Sequence, residues 1–234
     1  GECGIDTSQI LVDADHRTAA YLAVLDNTGD LVMSIDDMSI SRDLLTPGYL
    51  YRRRALFRDA KMVVLDANLS PAALETIFRL AQRYQVPVCA DPTTATLAPG
   101  LCRYLPQLTL VAPNAAEAEA LCDVQVTGRE SALEAAQKLV TLGVKIAIVT
   151  LGATGLVYAS SDESGHIPAV EVEIVELTGA GDALTAAVVF GLLNDFPVGE
   201  AVRLGTSAAA LTVHSRNTVC TDLSLERLYD QLVI

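Results

Sequence analysis

Apolar residues follow two rhythms along this chain. Met62-Val63-Val64-Leu65, Val86 to Ala90, Leu108 to Ala112 and Val144 to Thr150 are short runs with little polar alternation. That is the pattern of strands buried on both faces of a parallel sheet. Longer segments with helical spacing lie between them. Pro71 to Gln85 is amphipathic, with Ser70 placed as its N-cap and Pro71 at its first position. Ser131 to Leu142 is a second helix, closed by Gly143. Ala183 to Leu193 is apolar nearly all round and reads as a buried helix. Strands alternating with helices predict an α/β fold, a mainly parallel sheet with helices on both faces and right-handed crossovers.

Three further segments complete the pattern. Tyr21 to Asp26 and Asp30 to Ile35 are β-prone and flank Asn27-Thr28-Gly29, which predicts a hairpin. Residues 42 to 58 include a helix. Val170 to Val175 reads as a strand leading into a glycine-rich turn. No internal repeat, low-complexity tract or long linker interrupts the 234 residues, so the chain reads as one domain plus a small hairpin.

Composition narrows the function classes. Apolar residues make up 51% and charged ones 19%, as in a globular domain with a core. The net charge of −13 argues against a nucleic-acid or anionic-membrane partner, so any anion site must be local. No apolar run approaches the roughly 18 residues of a membrane span. Five cysteines are scattered without a Cys-x-x-Cys pair and read as reduced thiols of a cytoplasmic protein. His16, His166 and His214 are far apart in sequence, which argues against a zinc site.

The chemistry concentrates in Leu177-Thr178-Gly179-Ala180-Gly181-Asp182-Ala183. A glycine-rich turn opening a helix leaves backbone N–H groups free at the positive end of the helix dipole, a ready phosphate site. Asp182 sits inside that turn, where an acceptor for a hydroxyl proton would be needed. A plain first-turn acid on a tight turn fits the same residues. A dinucleotide fingerprint would need a third glycine at 184, which is Leu184, and the Gly-Lys-Ser/Thr end of a phosphate loop is absent.

Other polar residues fall at the predicted strand ends: Asp66 and Asn68, Asp91, Asn114, Thr150 and Gly152. Ligands of open α/β sheets gather at those ends. Asn114-Ala-Ala-Glu117 has the spacing of a capping box. Thr150-Leu-Gly152-Ala-Thr-Gly155 has the form of an ordinary turn after a strand. Gly205 to Val213, which contains Ser207, is rich in small residues, as in close helix packing.

Thr178 to Asp182 resembles the second signature of the ribokinase-like sugar kinases, the phosphofructokinase-B family. The resemblance implies an anion hole from Gly179, Ala180 and Gly181 with Asp182 as catalytic base. Asn114 and Glu117 match the family's Asn-x-x-Glu, which assigns Glu117 to the magnesium shell. Thr150, Gly152 and Gly155 match the region lining the nucleotide phosphates, and the helix carrying Ser207 matches the one flanking adenine. The hairpin, residues 18–40, is similar to the family's β-lid, which covers the sugar and often pairs in a homodimer. Thr18-Ala-Ala-Tyr21, Asp37 to Ile40 and Asp66-Ala-Asn68 look most like the pseudouridine and nucleoside kinase branch, with Thr18 and Asn68 as ribose-side contacts.

The implied cofactors are ATP, Mg2+ and a monovalent cation such as K+, although Glu176-Leu177 stands where the family usually has Asp-Thr. The implied activity is ATP-dependent phosphorylation of a primary hydroxyl of a sugar or nucleoside. Because the family's first strand and Gly-Gly motif would precede Gly1, the chain is expected to be a single domain, 1–234, lacking the N-terminal part. A non-catalytic nucleotide- or nucleoside-binding protein on the same scaffold is the alternative. A nicotinamide-dependent oxidoreductase is a third reading, opposed by the missing glycine.

Overall fold

The computed structural model describes residues 4–25 and 31–232. Its centre is a six-stranded sheet in the order β3-β4-β5-β6-β7-β8: Val63–Asp66, Val88–Asp91, Leu110–Val111, Ile146–Thr150, Leu156–Ser160 and Ser164–Ile167. The first four strands run parallel, and the last two add an antiparallel hairpin. A separate antiparallel pair joins β1 (Ala20–Leu25) to β2 (Leu31–Asp37). The predicted turn, Asn27-Thr28-Gly29, lies outside the described residues.

Helices cover both sheet faces. α1 (Ser39–Leu44), α2 (Pro47–Arg52) and α3 (Arg54–Asp59) follow the hairpin and lead into β3. α4 (Pro71–Tyr84), α5 (Ala115–Cys122) and α6 (Arg129–Thr141), with a 3-10 turn at Ala98–Gln107, pack on one face around Phe78, Leu101, Leu139 and Val149. α7 (Ala180–Leu193) and α8 (Val198–Val213) cover the other around Leu110, Ile148, Leu184 and Val188. α9 (Leu225–Asp230) packs on their far side. Local signals set the helix ends as read from the sequence. The Ser70 hydroxyl accepts from the Ala73 amide, Pro71 opens α4, and Gln85 ends it in the left-handed region.

Two expectations are corrected, and one element was not foreseen. Val170–Val175 is not a strand; the Val175 and Glu176 amides donate to the carbonyl of Val213 at 2.9 and 3.1 Å, so the segment leans on the end of α8 instead of joining the sheet. α7 is not buried all round: Phe190 and Leu193 point outward, because sheet and α8 cover only part of its circumference. The β7–β8 hairpin is an addition that the pattern did not predict.

Cover on the α7 and α8 face runs out at β3. Val64, Cys89, Leu110 and Ile146 are cross-strand partners in one row. Their exposures are 55, 0, 0 and 7%. Leaving one valine of the row wet forgoes about 1.5–3 kcal/mol of burial.

Candidate active site

The parallel strands place a line of polar residues at their carboxyl ends. Asp66 and Asp91 are register partners at the ends of β3 and β4. Each folds back on its own chain: Asp66 accepts from the Asn68 amide at 2.8 Å, and Asp91 from the Thr93 amide at 2.7 Å. Thr93 has φ of 64°, which is strained for a β-branched residue. Its hydroxyl accepts from the Ala67 amide at 3.2 Å, so the strained turn braces β4 against β3.

Asn114 and Glu117 start α5. Asn114 Oδ1 accepts from the Glu117 amide at 3.0 Å, and Glu117 Oε2 accepts from the Asn114 amide at 2.9 Å. This reciprocal box satisfies two amides of the helix start. Glu117 is buried, and burial lifts its carboxyl above the usual range, with the charge of Asp91 adding to the lift against the opposing Asn114 bonds. Thr150 at the end of β6 is tied to this corner, its amide donating to the Pro113 carbonyl at 2.9 Å. A cleft of about 500 Å³ opens here between Asn114 to Ala116, Val126 to Arg129 and Thr150 to Thr154.

α7 begins differently. Its N-cap is Gly179 at φ of 88°, with no side chain to accept a hydrogen bond. A Cβ there would lie 2.1 Å from the Thr218 carbonyl oxygen, so only glycine fits. The Ala180 amide makes a long 3.4 Å contact to the Leu177 carbonyl, and the Gly181 and Asp182 amides have no backbone acceptor. Gly181 and Asp182 are exposed. Glu176 steadies the approach, accepting from the Thr178 amide and hydroxyl at 3.0 and 2.7 Å. The result is a rigid turn presenting open amides and one carboxylate to solvent, which is what an anion hole beside a base requires.

Charge couples these pieces. Burial raises the Asp91 carboxyl, the Thr93 bond opposes that, and the charges of Asp182 and Asp66 raise it further. Asp91 therefore lies within electrostatic reach of Asp66, Glu117 and Asp182, and stands among four strand-end and helix-start acids. From the sequence it was a residue at a strand end with no role. Its visible signal was position alone.

Of the remaining sequence-predicted residues, Gly152 lines the cleft, and Gly155, Asn68, Thr18 and Ser207 do not. Gly152 is exposed in the turn after β6. Gly155 has a packing reason of its own, since a Cβ would lie 2.1 Å from the Ile167 carbonyl oxygen of β8. Asn68 forms the turn after β3. Thr18 is exposed two residues before β1. Ser207 is buried in α8, its hydroxyl without a hydrogen-bond partner. No side-chain hydrogen bond joins Thr18 or Ser207 to the cleft.

The chemistry of the donors suits Mg2+. Among the described residues no three His, Cys, Asp or Glu side chains form a ready-made cage. Mg2+ keeps several waters and takes one or two carboxylates. Glu117 uses one oxygen in the capping box and has the other in reserve, beside a second acid, Asp91, whose proximity a dication would relieve. No helix among the described residues is long and apolar enough to cross a membrane, and the described cysteines are free thiols.

Residues 1–223 match the family described as pfkB family carbohydrate kinase. The chain is 31% identical over 225 residues to a pseudouridine kinase of Escherichia coli, covering 96% of this chain and 71% of that protein. It is 28% identical over 214 residues to a guanosine-inosine kinase of Exiguobacterium acetylicum, covering 91% of this chain and 70% of the relative. The crystal structure of a ribokinase from Thermotoga maritima superposes with a TM-score of 0.74 at 26% identity, over 91% of this chain and 69% of that one. The chain thus spans about seven-tenths of the length of each of these relatives.

Proposed function

Because the chain belongs to the pfkB family of carbohydrate kinases, we propose that it transfers the γ-phosphoryl group of ATP to a primary hydroxyl of a sugar or nucleoside. The single observation that carries this reading is the open start of α7, where unpaired amides stand beside the exposed carboxylate of Asp182. The relatives named above as pseudouridine and guanosine-inosine kinases favour a nucleoside as acceptor.

In this reading Asp182 accepts the hydrogen bond of the acceptor hydroxyl, aims its oxygen at the phosphorus and takes the proton late, because the transition state is loose. The amides of Gly179, Ala180 and Gly181 hold the charge on the transferring phosphoryl oxygens. Thr150, Gly152 and Gly155 line the nucleotide phosphates, Asn114 fixes the neighbouring helix start, and Ser207 lies in the helix beside the adenine. Mg2+, when bound, neutralises charge on the β- and γ-phosphates, and Glu117 would hold it. Asn68 and Thr18 face the ribose.

The β1–β2 hairpin supplies the cover. Leu22 pairs with Ile35 and Val24 with Met33 on one face, and all four are exposed, from 41 to 62%. An apolar ribbon of this kind needs something to close on, and we assign it to the acceptor pocket and to the same hairpin of a second copy. Closure excludes water, so ATP is not hydrolysed instead.

The test is a phosphoryl-transfer screen with Mg-ATP against pseudouridine, guanosine, inosine, adenosine, ribose and fructose, with and without K+, alongside sedimentation of the protein. Transfer to one acceptor, lost in Asp182→Asn, is the expected result. Nucleotide binding with no transfer to any acceptor would reject the kinase reading and leave a non-catalytic binder.

A further inference from the structure

The two roots of the β1–β2 hairpin are joined by side chains as well as by the ladder. Asp13, in the segment before β1, accepts from the amides of Asp15 and His16 at 2.9 and 3.2 Å, which fixes its carboxylate in a tight turn. The same oxygen lies 2.8 Å from His16 Nδ1. The other ring nitrogen, Nε2, lies 3.8 Å from Asp43 Oδ2 on α1, the helix that follows β2. His16 is thus held from one root and reaches the other.

Charge near the end of β2 has the same sense, without a second ion pair among the described residues. Asp37 closes the ladder opposite Ala20 and accepts from the Ser39 amide at 3.0 Å. Its carboxyl is held below the usual range first by its bonds to Ser39, and then by Arg42 on α1 and Arg17 beside His16. Thr18, the ribose-side candidate, is two residues from His16.

We propose that His16 is a positioning residue: bridging Asp13 and Asp43, it locks the two roots of the hairpin together and so sets how firmly the hairpin covers the phosphoryl acceptor. The last clause rests on the kinase reading, whereas the lock itself does not.

The charged groups facing the imidazole are Asp13 and Asp15 on its own segment and Asp43 on α1, all acidic. The bond to Asp13 raises the imidazole above its ordinary value, burial is the next influence and opposes it, and the smaller effects of the charges of Asp13, Asp43 and Asp15 add to the rise. A histidine raised on folding is fully charged below its ordinary value of about 6.5. The lock is therefore complete in mild acid and is lost as pH rises through the raised value.

The test uses the full chain. Amide exchange of residues 20–25 and 31–37, corrected for the intrinsic pH dependence, is compared between wild type, His16→Gln and Asp43→Asn. Each variant is expected to lose about two- to fivefold of hairpin protection near pH 6, the scale of an exposed ion pair, and nothing near pH 8.5. Asp43→Glu should restore it. On the acceptor found in the screen, KM near pH 6 should rise by the same factor in both variants, with kcat and the nucleotide KM unchanged.

Equal protection in wild type and both variants near pH 6 overturns the lock. So does a loss that persists unchanged near pH 8.5, which would mark His16 as a packing residue only. Lost protection with an unchanged acceptor KM overturns its role in acceptor cover. If no acceptor is phosphorylated at all, the kinase reading fails, and amide exchange still decides the lock.

Discussion

Two of the helices that start at the carboxyl end of this sheet, α5 and α7, have opposite first turns. α5 closes its own start: the Asn114 and Glu117 side chains and amides satisfy one another. α7 leaves its start open: a glycine N-cap offers no side-chain acceptor, and the Gly181 and Asp182 amides have no backbone acceptor. The self-capped turn is scaffold, worth about 1 kcal/mol to the fold. The uncapped turn forgoes that and leaves the amides for a ligand. The contrast favours the α7 turn as the proposed anion hole beyond what the glycine motif alone does, because both turns had plausible structural explanations in the sequence.

The largest effect that would break this contrast is at Asp182. Asp182→Asn should cost on the order of 10²–10⁴ in kcat while leaving thermal stability and nucleotide binding unchanged. Near-normal turnover would leave the open start without a catalytic partner. Next come the two glycines. Gly179→Ala drives a Cβ into the Thr218 carbonyl and should cost about 1–3 kcal/mol in denaturant titration, together with activity. Gly181→Ala meets nothing within 4 Å and should leave stability unchanged or raise it by up to about 1 kcal/mol. Similar losses in both would mean that the two glycines serve chain flexibility alone.

Smaller effects probe the closed start. Asn114→Ala should destabilise by about 1 kcal/mol, read as a shift in urea midpoint. Glu117→Gln should keep the cap, since an amide oxygen can still accept from Asn114. The wild-type carboxyl is raised by burial, so the folded state holds its proton more tightly than the unfolded state. Stability should therefore fall as pH rises from the ordinary value near 4.5 through the raised one. Glu117→Gln removes that slope, so its midpoint should gain on wild type as pH rises above the ordinary value. An identical pH slope in the two proteins would place the titration elsewhere.

What was legible in the sequence was local. Ser70 and Pro71 fix one helix start, Asn114 and Glu117 another, and the unbroken apolar runs mark the strands of a parallel sheet. The base candidate and its turn could be read because glycine, amide and acid are consecutive. Val170 to Val175 misled because β-prone residues make a strand only when another strand accepts them, and here the carbonyl of Val213 takes the amides of Val175 and the following Glu176. The β7–β8 pair was missed because its register depends on β6, more than local spacing reveals. Asp91 became visible only once folding set it within the fields of Asp66, Glu117 and Asp182.

The wet end of the Val64 row has a consequence for handling the protein. The outer edge of β3 meets no other described strand, and it joins unpaired backbone groups to an uncovered apolar side chain. Such an edge recruits strands from neighbouring molecules. Concentrated preparations of the 1–234 chain are therefore expected to self-associate along this border, and a charged replacement, Val64→Lys, should keep that chain dispersed in light scattering.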